Sequence, residues 1–244
     1  MNLAPGGEVN TAAREPLPEL PPKAAPEPRR RLGQDPDALF TSLTSNDALR
    51  TRDALNALGL PWLAGRMPPD VRLLAVNLDS DADLERILIV KAGLDAAAIV
   101  LKKETGAWWQ LGSFTCCIGT GQVDPFVELK ATVWYGTMDL IVHRTAAHGT
   151  GVGEFRLSVY RVWRSHLYRV LDVVESAYNL TSSEESRVIY PNIDSTEAPR
   201  VLTIHRVTRM GDRLTTACFP YRWDPAQFVF LRIAAARVLC TLAN

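Results

Sequence analysis

From Val71 to Ile233 the apolar residues of this chain fall in short runs with a period of two, and no other feature restricts its fold so tightly. Val71–Val76, Arg86–Val90, Ala98–Lys102 and Trp108–Phe114 form a first group. Val127–Trp134, Asp139–His143, Glu154–Val162 and Leu167–Val173 form a second. Arg187–Tyr190, Arg200–Val207, Leu214–Tyr221 and Gln227–Ile233 form a third. Each run is rich in β-branched or aromatic residues and is bounded by Asp, Gly, Asn or Thr, the composition of strands and turns. The connections are too short for the helices that parallel strands require, so the pattern predicts antiparallel meanders. Ala234–Leu242 reads equally as a last strand or a last helix.

The amino-terminal part obeys other constraints. Eight of the 16 prolines lie within the first 36 residues, among Glu, Ala, Lys and Arg. Proline removes backbone donors, and so few apolar residues cannot offset chain entropy. Residues 1–34 are therefore expected to be a disordered Pro-rich tether, with Pro18-Glu19-Leu20-Pro21 matching the P-x-x-P pattern of proline-recognition ligands. Arg29-Arg30-Arg31 is not an export signal, because Gly33-Gln34-Asp35-Pro36 follows where an apolar segment should stand. A short helical hairpin is expected over 35–66. Asp35 caps a first helix begun by Pro36, Ser45 caps a second over Asn46–Leu58, and Gly59 with Pro61 ends it. Residues 70–244 then make the β domain, which on this reading is a propeller-like array, an open curved sheet or a sandwich.

Self-comparison divides the β domain into about three units. Asn77-Leu78-Asp79-Ser80 followed by Arg86-Ile87-Leu88-Ile89-Val90 parallels Asn192-Ile193-Asp194-Ser195 followed by Arg200-Val201-Leu202-Thr203-Ile204. Met138-Asp139-Leu140-Ile141-Val142 takes the middle slot. The units recur at roughly 50–60 residues, the spacing of a propeller blade. An acidic turn leading into an apolar strand, then a hairpin and an aromatic-bearing strand, resembles degenerate FG-GAP or VCBS-type repeats over residues 72–233. That resemblance implies blades of the integrin β-propeller kind, an exported protein, and calcium held at acidic turns. A periplasmic or secreted address is accordingly expected over a cytoplasmic one.

Chemistry is sparse. Asp79, Asp81, Asp83 and Glu85 alternate along one turn, and a D-x-D-x-D turn can curl carboxylates around calcium. Leu84 stands where such a turn wants glycine. His143 and His148 flank a loop in which Asp139 or Glu154 would complete a metal site or a proton-transfer pair. His148-Gly149-Thr150-Gly151-Val152-Gly153 is not a dinucleotide loop, because an alternating strand follows it where a helix should begin. It is expected to be a hairpin turn. Cys116, Cys117, Cys218 and Cys240 contain no C-x-x-C pair. In an oxidising compartment Cys116 or Cys117 would pair with Cys218; in a reducing one all four would be thiols. Asn179-Leu180-Thr181 is a glycosylation sequon, and Thr181-Ser182-Ser183-Glu184 reads as the capping box of a short helical turn.

These residues define no convergent catalytic set. The 27 basic and 27 acidic residues cancel, which excludes the basic excess of a nucleic-acid binder. No apolar run reaches the length of a transmembrane helix. The expected function is a non-catalytic binding or assembly module, an accessory subunit of a larger complex. Its protein partner would be met through the arm and through aromatics at strand ends: Trp108, Trp109, Trp134, Tyr135, Tyr160, Trp163, Tyr168, Tyr221 and Trp223. The competing expectation is a metal-dependent hydrolase using residues 79–85 or the His143/His148 loop.

Overall fold

The computed structural model describes residues 25–65, 69–79, 81–93, 95–116, 127–131, 138–189, 201–224 and 226–233. It is mainly β, with two antiparallel sheets and two helices. In chain order the elements are β1 (Arg30–Arg31), α1 (Pro36–Leu43), α2 (Ala48–Ala57), a 3-10 turn (Pro61–Leu63), β2 (Asp70–Val76), β3 (Glu85–Ala92), β4 (Asp95–Glu104) and β5 (Ala107–Cys116). Then follow β6 (Val127–Ala131), β7 (Met138–Gly149), β8 (Val152–Trp163), β9 (His166–Tyr178), β10 (Ser182–Ile189), β11 (Val201–Met210), β12 (Arg213–Asp224) and β13 (Val229–Arg232). The smaller sheet is ordered β1-β5-β4-β3-β2, and the larger runs β6 through β13 as an unbroken meander. The described strands thus form two sheets, with no division into three equivalent blades.

The hairpin turns follow from backbone sterics. Thr105 and Gly106 both have positive φ in the β4–β5 turn, as do Arg164 and Ser165 between β8 and β9. That is the twist a two-residue hairpin demands of its centre. The Gly-rich segment after His148 is indeed a turn, with Gly149 paired to Val152 across it. Ser182–Ser183 opens β10, so the helical turn expected there is a strand instead. Cross-strand pairing with Met210 and Arg209 wins over the local cap.

The helices follow their caps. Asp35 Oδ1 accepts from the Asp37 N–H at 2.8 Å, but α2 is capped by Asp47, not Ser45. Asp47 accepts from the N–H groups of Leu49 and Arg50, a two-fold satisfaction that Ser45 is too far upstream to offer. Gly59, at φ +74, ends α2 with Leu60 N–H donating to the Leu55 carbonyl, the six-to-one bond of a Schellman cap.

Three apolar layers result. Leu39, Leu43, Leu55, Leu58 and Leu63 of the helical hairpin cover Leu88, Val90, Ile99 and Leu101 on one face of the smaller sheet. Its other face, through Ile87, Ala98, Val100 and Leu111, meets Leu140, Val142, Tyr160, Val162 and Leu167 of the larger sheet. The far face of the larger sheet is closed by its own last strands, which bring Trp223, Phe228 and Phe230 over Val159, Trp163 and Tyr168. The aromatics are therefore mostly core: Tyr160, Trp163, Tyr168 and Trp223 are buried. Trp108, Trp109 and Tyr221 are half-buried, and Trp134 and Tyr135 lie outside the described residues.

The arm also departs from expectation near its end. Arg30 and Arg31 pair with Gln110 and Trp109 as an added edge strand, and Leu32 N–H donates to the Trp108 carbonyl at 2.8 Å. Arg29 stacks over Trp109 and bonds Glu104 at 2.6 Å, while Arg30 reaches Gln110. Residues 25–34 thus belong to the body; residues 1–24, the rest of the expected tether, and Ala234–Leu242 lie outside the described residues.

Candidate functional site

The acidic turn between β2 and β3 sits where the interlayer core runs out. Ile87 and Ile89 point into that layer, so Glu85, two residues earlier on the same strand, points there too. On β4 the layer-facing residues are Ala96, Ala98 and Val100, and the alternation carries on to Lys102. Strand geometry therefore brings a glutamate and a lysine together at the end of an apolar layer.

Lys102 Nζ donates to Asp79 Oδ2 at 2.6 Å, Asp81 Oδ2 at 2.5 Å and Glu85 Oε1 at 2.7 Å. The lysine side chain is 4% exposed and Glu85 is fully buried, whereas Asp81 is 47% exposed. The second Glu85 oxygen accepts from the Leu78 N–H at 2.7 Å. The turn organises itself through Asp79 Oδ1 and Asp81 Oδ1, which accept from the N–H groups of Asp81 and Asp83, and Asn77 Nδ2 donates to the Asp81 carbonyl. Asp83 contributes that N–H but no ligand atom.

The electrostatics follow. Burial would discharge Lys102, but the bonds from Asp79, Asp81 and Glu85 outweigh it and hold the ammonium well above its usual range. Burial dominates at Glu85 and pushes its carboxyl up despite Lys102 and the Leu78 N–H. At Asp81 burial again raises the carboxyl, but the bond and charge of Lys102 together with the Asp83 N–H outweigh it and hold the carboxyl down.

Asp79, Asp81 and Glu85 offer oxygens within 4.8 Å of one another, so three of the four expected calcium ligands do converge. What they converge on is Lys102. An ammonium 2.5–2.7 Å from each carboxylate occupies the centre of the set, so a divalent ion would have to expel it. With a buried ammonium built into their centre, the three carboxylates as they stand do not fit calcium.

The histidine loop does not assemble as expected. His143 is buried and its Nδ1 lies 2.8 Å from Glu175 Oε1, with Nε2 3.5 Å from Glu128 Oε1. Asp139 instead makes a buried two-bond pair with Arg161, and Glu154 pairs with Arg156 at 2.9 Å. The side chain of His148 lies outside the described set. Glu128 on β6 and Glu175 on β9 approach His143 from either side of β7, a convergence sequence spacing could not reveal.

A second polar cluster lies on β7, β8 and β9. Asp172 accepts from Ser158 Oγ at 2.8 Å and is bracketed by Arg144, Arg156 and Arg169 at 3.2–3.5 Å. Burial raises its carboxyl, but the Ser158 and Arg156 bonds prevail and hold it low. Cys218 is disulfide-bonded, to a side chain outside the described set.

Lys102 was the residue sequence reasoning missed, although a signal existed. Lys102 and Lys103 are adjacent on a strand, so they must face opposite ways. One of them had to continue the inward series of Ala96, Ala98 and Val100.

No family model matches the chain, and no curated protein or solved structure resembles it at a significant level. Fold and site together define a two-sheet antiparallel β protein in which a buried lysine gathers three carboxylates at the end of an apolar layer.

Proposed function

We propose that this chain is a non-catalytic, β-rich binding or assembly module, an accessory subunit of a larger extracytoplasmic complex. The observation that carries the reading is the commitment of Lys102 to Asp79, Asp81 and Glu85. A catalytic lysine or carboxylate needs a free reacting atom and a substrate-sized approach. Here the amine is buried and its donors are spent on three partners. Two other charge clusters are of the same structural kind: Asp139–Arg161 is sealed beneath Trp223, and Asp172 is enclosed by Ser158 and three arginines. The extracytoplasmic address is supported by the Cys218 disulfide, since such bonds persist in oxidising compartments. We further read the three units as diverged copies of one FG-GAP or VCBS-like ancestor, with Arg86–Val90 and Val201–Ile204 falling within β3 and β11.

The protein partner is placed on the Pro-rich segment ahead of residue 25. The residues that follow that segment are held to the body by Arg29–Glu104 and by β1 on the edge of β5. Purification of the full chain from its native source, beside a variant lacking residues 1–24, tests this. Stoichiometric co-purification that is lost on deletion is the expected result. A free monomer with or without the segment overturns the reading.

A further inference from the structure

The larger sheet ends in an apolar tip. The β7–β8, β9–β10 and β11–β12 turns lie side by side at one end, since Gly153 pairs with Tyr178 and Ser182 pairs with Met210. On and beside them Leu180 is 88% exposed, Met210 65%, Leu214 58%, Val152 49% and Tyr178 39%. Single exposed apolar residues need no explanation, but five on three adjoining turns form a patch. The core does not reach them. Its last members there are Leu157, Val173 and Ile204, and the strands run on to Val152, Tyr178 and Met210, roughly 15–20 Å further at strand rise.

The patch wraps the tip instead of covering one face. Ile204 faces the core closed by Trp223, so Met210 on the same strand and parity faces that side, as does Tyr178 opposite Gly153. Val152 and Leu214 face the other way, and Leu180 caps the end. A flat protein surface meets one face of a sheet; a fluid apolar phase meets both and the edge. Charge selects among such phases. The last two pairs of the β11–β12 hairpin are Arg209 with Leu214 and Met210 with Arg213, so each face sets an exposed arginine beside an exposed apolar side chain. Asp212 in the turn offsets one of the two charges, leaving residues 209–214 with one net positive charge.

We propose that this tip docks on an anionic lipid bilayer. Leu180, Met210, Leu214, Val152 and Tyr178 enter the head-group boundary, and Arg209 and Arg213 bind lipid phosphates. The inference rests on the chain being a binding module and names a partner for it.

The test is flotation of the full chain with vesicles of phosphatidylcholine alone and of phosphatidylcholine mixed with phosphatidylglycerol. The wild type is expected to float with the anionic vesicles, less so as salt rises. Leu180→Asp/Met210→Asp should cut the bound fraction at least about tenfold, and Arg209→Glu/Arg213→Glu should remove the preference for anionic lipid. Both changes fall on exposed turns, and unchanged circular dichroism confirms the fold. No flotation, or flotation unaffected by the aspartates, overturns the proposal. So does light scattering that finds a wild-type dimer made monomeric by the aspartates, which assigns the tip to a second copy. None of these outcomes touches the co-purification test of the segment ahead of residue 25, so the two readings fail separately.

Discussion

Replacing Lys102 by methionine keeps the aliphatic stem but leaves Asp79, Asp81 and Glu85 without their cation. Two of the three carboxylates are deeply placed, Asp79 at 11% exposure and Glu85 at zero. Breaking a buried ion pair by removing one partner costs about 3–5 kcal/mol, because the remaining charge keeps its desolvation penalty. Asp81, half in water, adds less than about 1 kcal/mol. Lys102→Met is therefore expected to lose about 3–5 kcal/mol near pH 7.5, read as a shift in the urea midpoint at unchanged slope. The loss should shrink with acid. Glu85 already sits above its ordinary value of 4.5, and without Lys102 it rises further. Below about pH 3 Glu85 is protonated in folded and unfolded chains alike, and an absent cation then matters little there.

The wild type should show the opposite edge. Lys102 is held above its ordinary value of 10.5, so its contribution is complete below that pH and is lost as pH climbs through the folded value. Calcium supplies the decisive control. The vacated carboxylates stand within 4.8 Å of one another, so the ion should raise the midpoint of Lys102→Met while leaving the wild type unmoved. A wild type stabilised by calcium, or a substitution costing under about 1 kcal/mol at pH 7.5, would refute the argument that the ammonium replaces a metal.

Three further outcomes follow from other parts of the fold. Asp139→Ala removes the two-bond carboxylate partner of the buried Arg161 and should cost about 3–5 kcal/mol, most of it recovered in Asp139→Ala/Arg161→Leu by the double-mutant cycle. Gly112→Ala puts a methyl 2.8 Å from the Leu167 side chain in the interlayer core and should cost about 1–3 kcal/mol by thermal melting. Thiol titration of the denatured, non-reduced chain should find at most two reactive groups, because the Cys218 disulfide takes two of the four cysteines; four would remove the support for an oxidising compartment.

The period-two runs carried most of the fold. Each of the twelve overlaps a described strand, because alternation reports the burial of one sheet face and that face is what folding selects. Sheet partition was not legible in the same way. Three equal groups of four suggested blades, whereas β6 to β13 join into one sheet through turns no different in composition from those that separate the groups. Local sequence encodes a hairpin, and only long-range packing decides where a meander stops. The same limit governed the site. The acidic turn could be read because its carboxylates are neighbours in sequence, but Lys102 lies 17 residues past Glu85 and joins them through β3–β4 register. Glu128 and Glu175 reach His143 only through two strand pairings.

The burial of the aromatics and the exposure of the tip are two sides of one geometric fact. An eight-stranded meander with strands of 10–13 residues over much of its width is too long for the smaller sheet to cover. One end is closed by curling, so that β13 returns against β9 and draws Trp163, Tyr168, Trp223 and Phe228 into an edge-to-face cluster. Those rings therefore stabilise the body and are not free to recognise a partner. Among the described residues the other end has no such cover. A sheet that merely tapered into water would finish in polar turns, as the Thr105–Gly106 hairpin does at the end of β4. Leu180, Met210 and Leu214 stand there instead, which is the exposure a docking surface requires, and Arg209 and Arg213 set a cation on each of its faces.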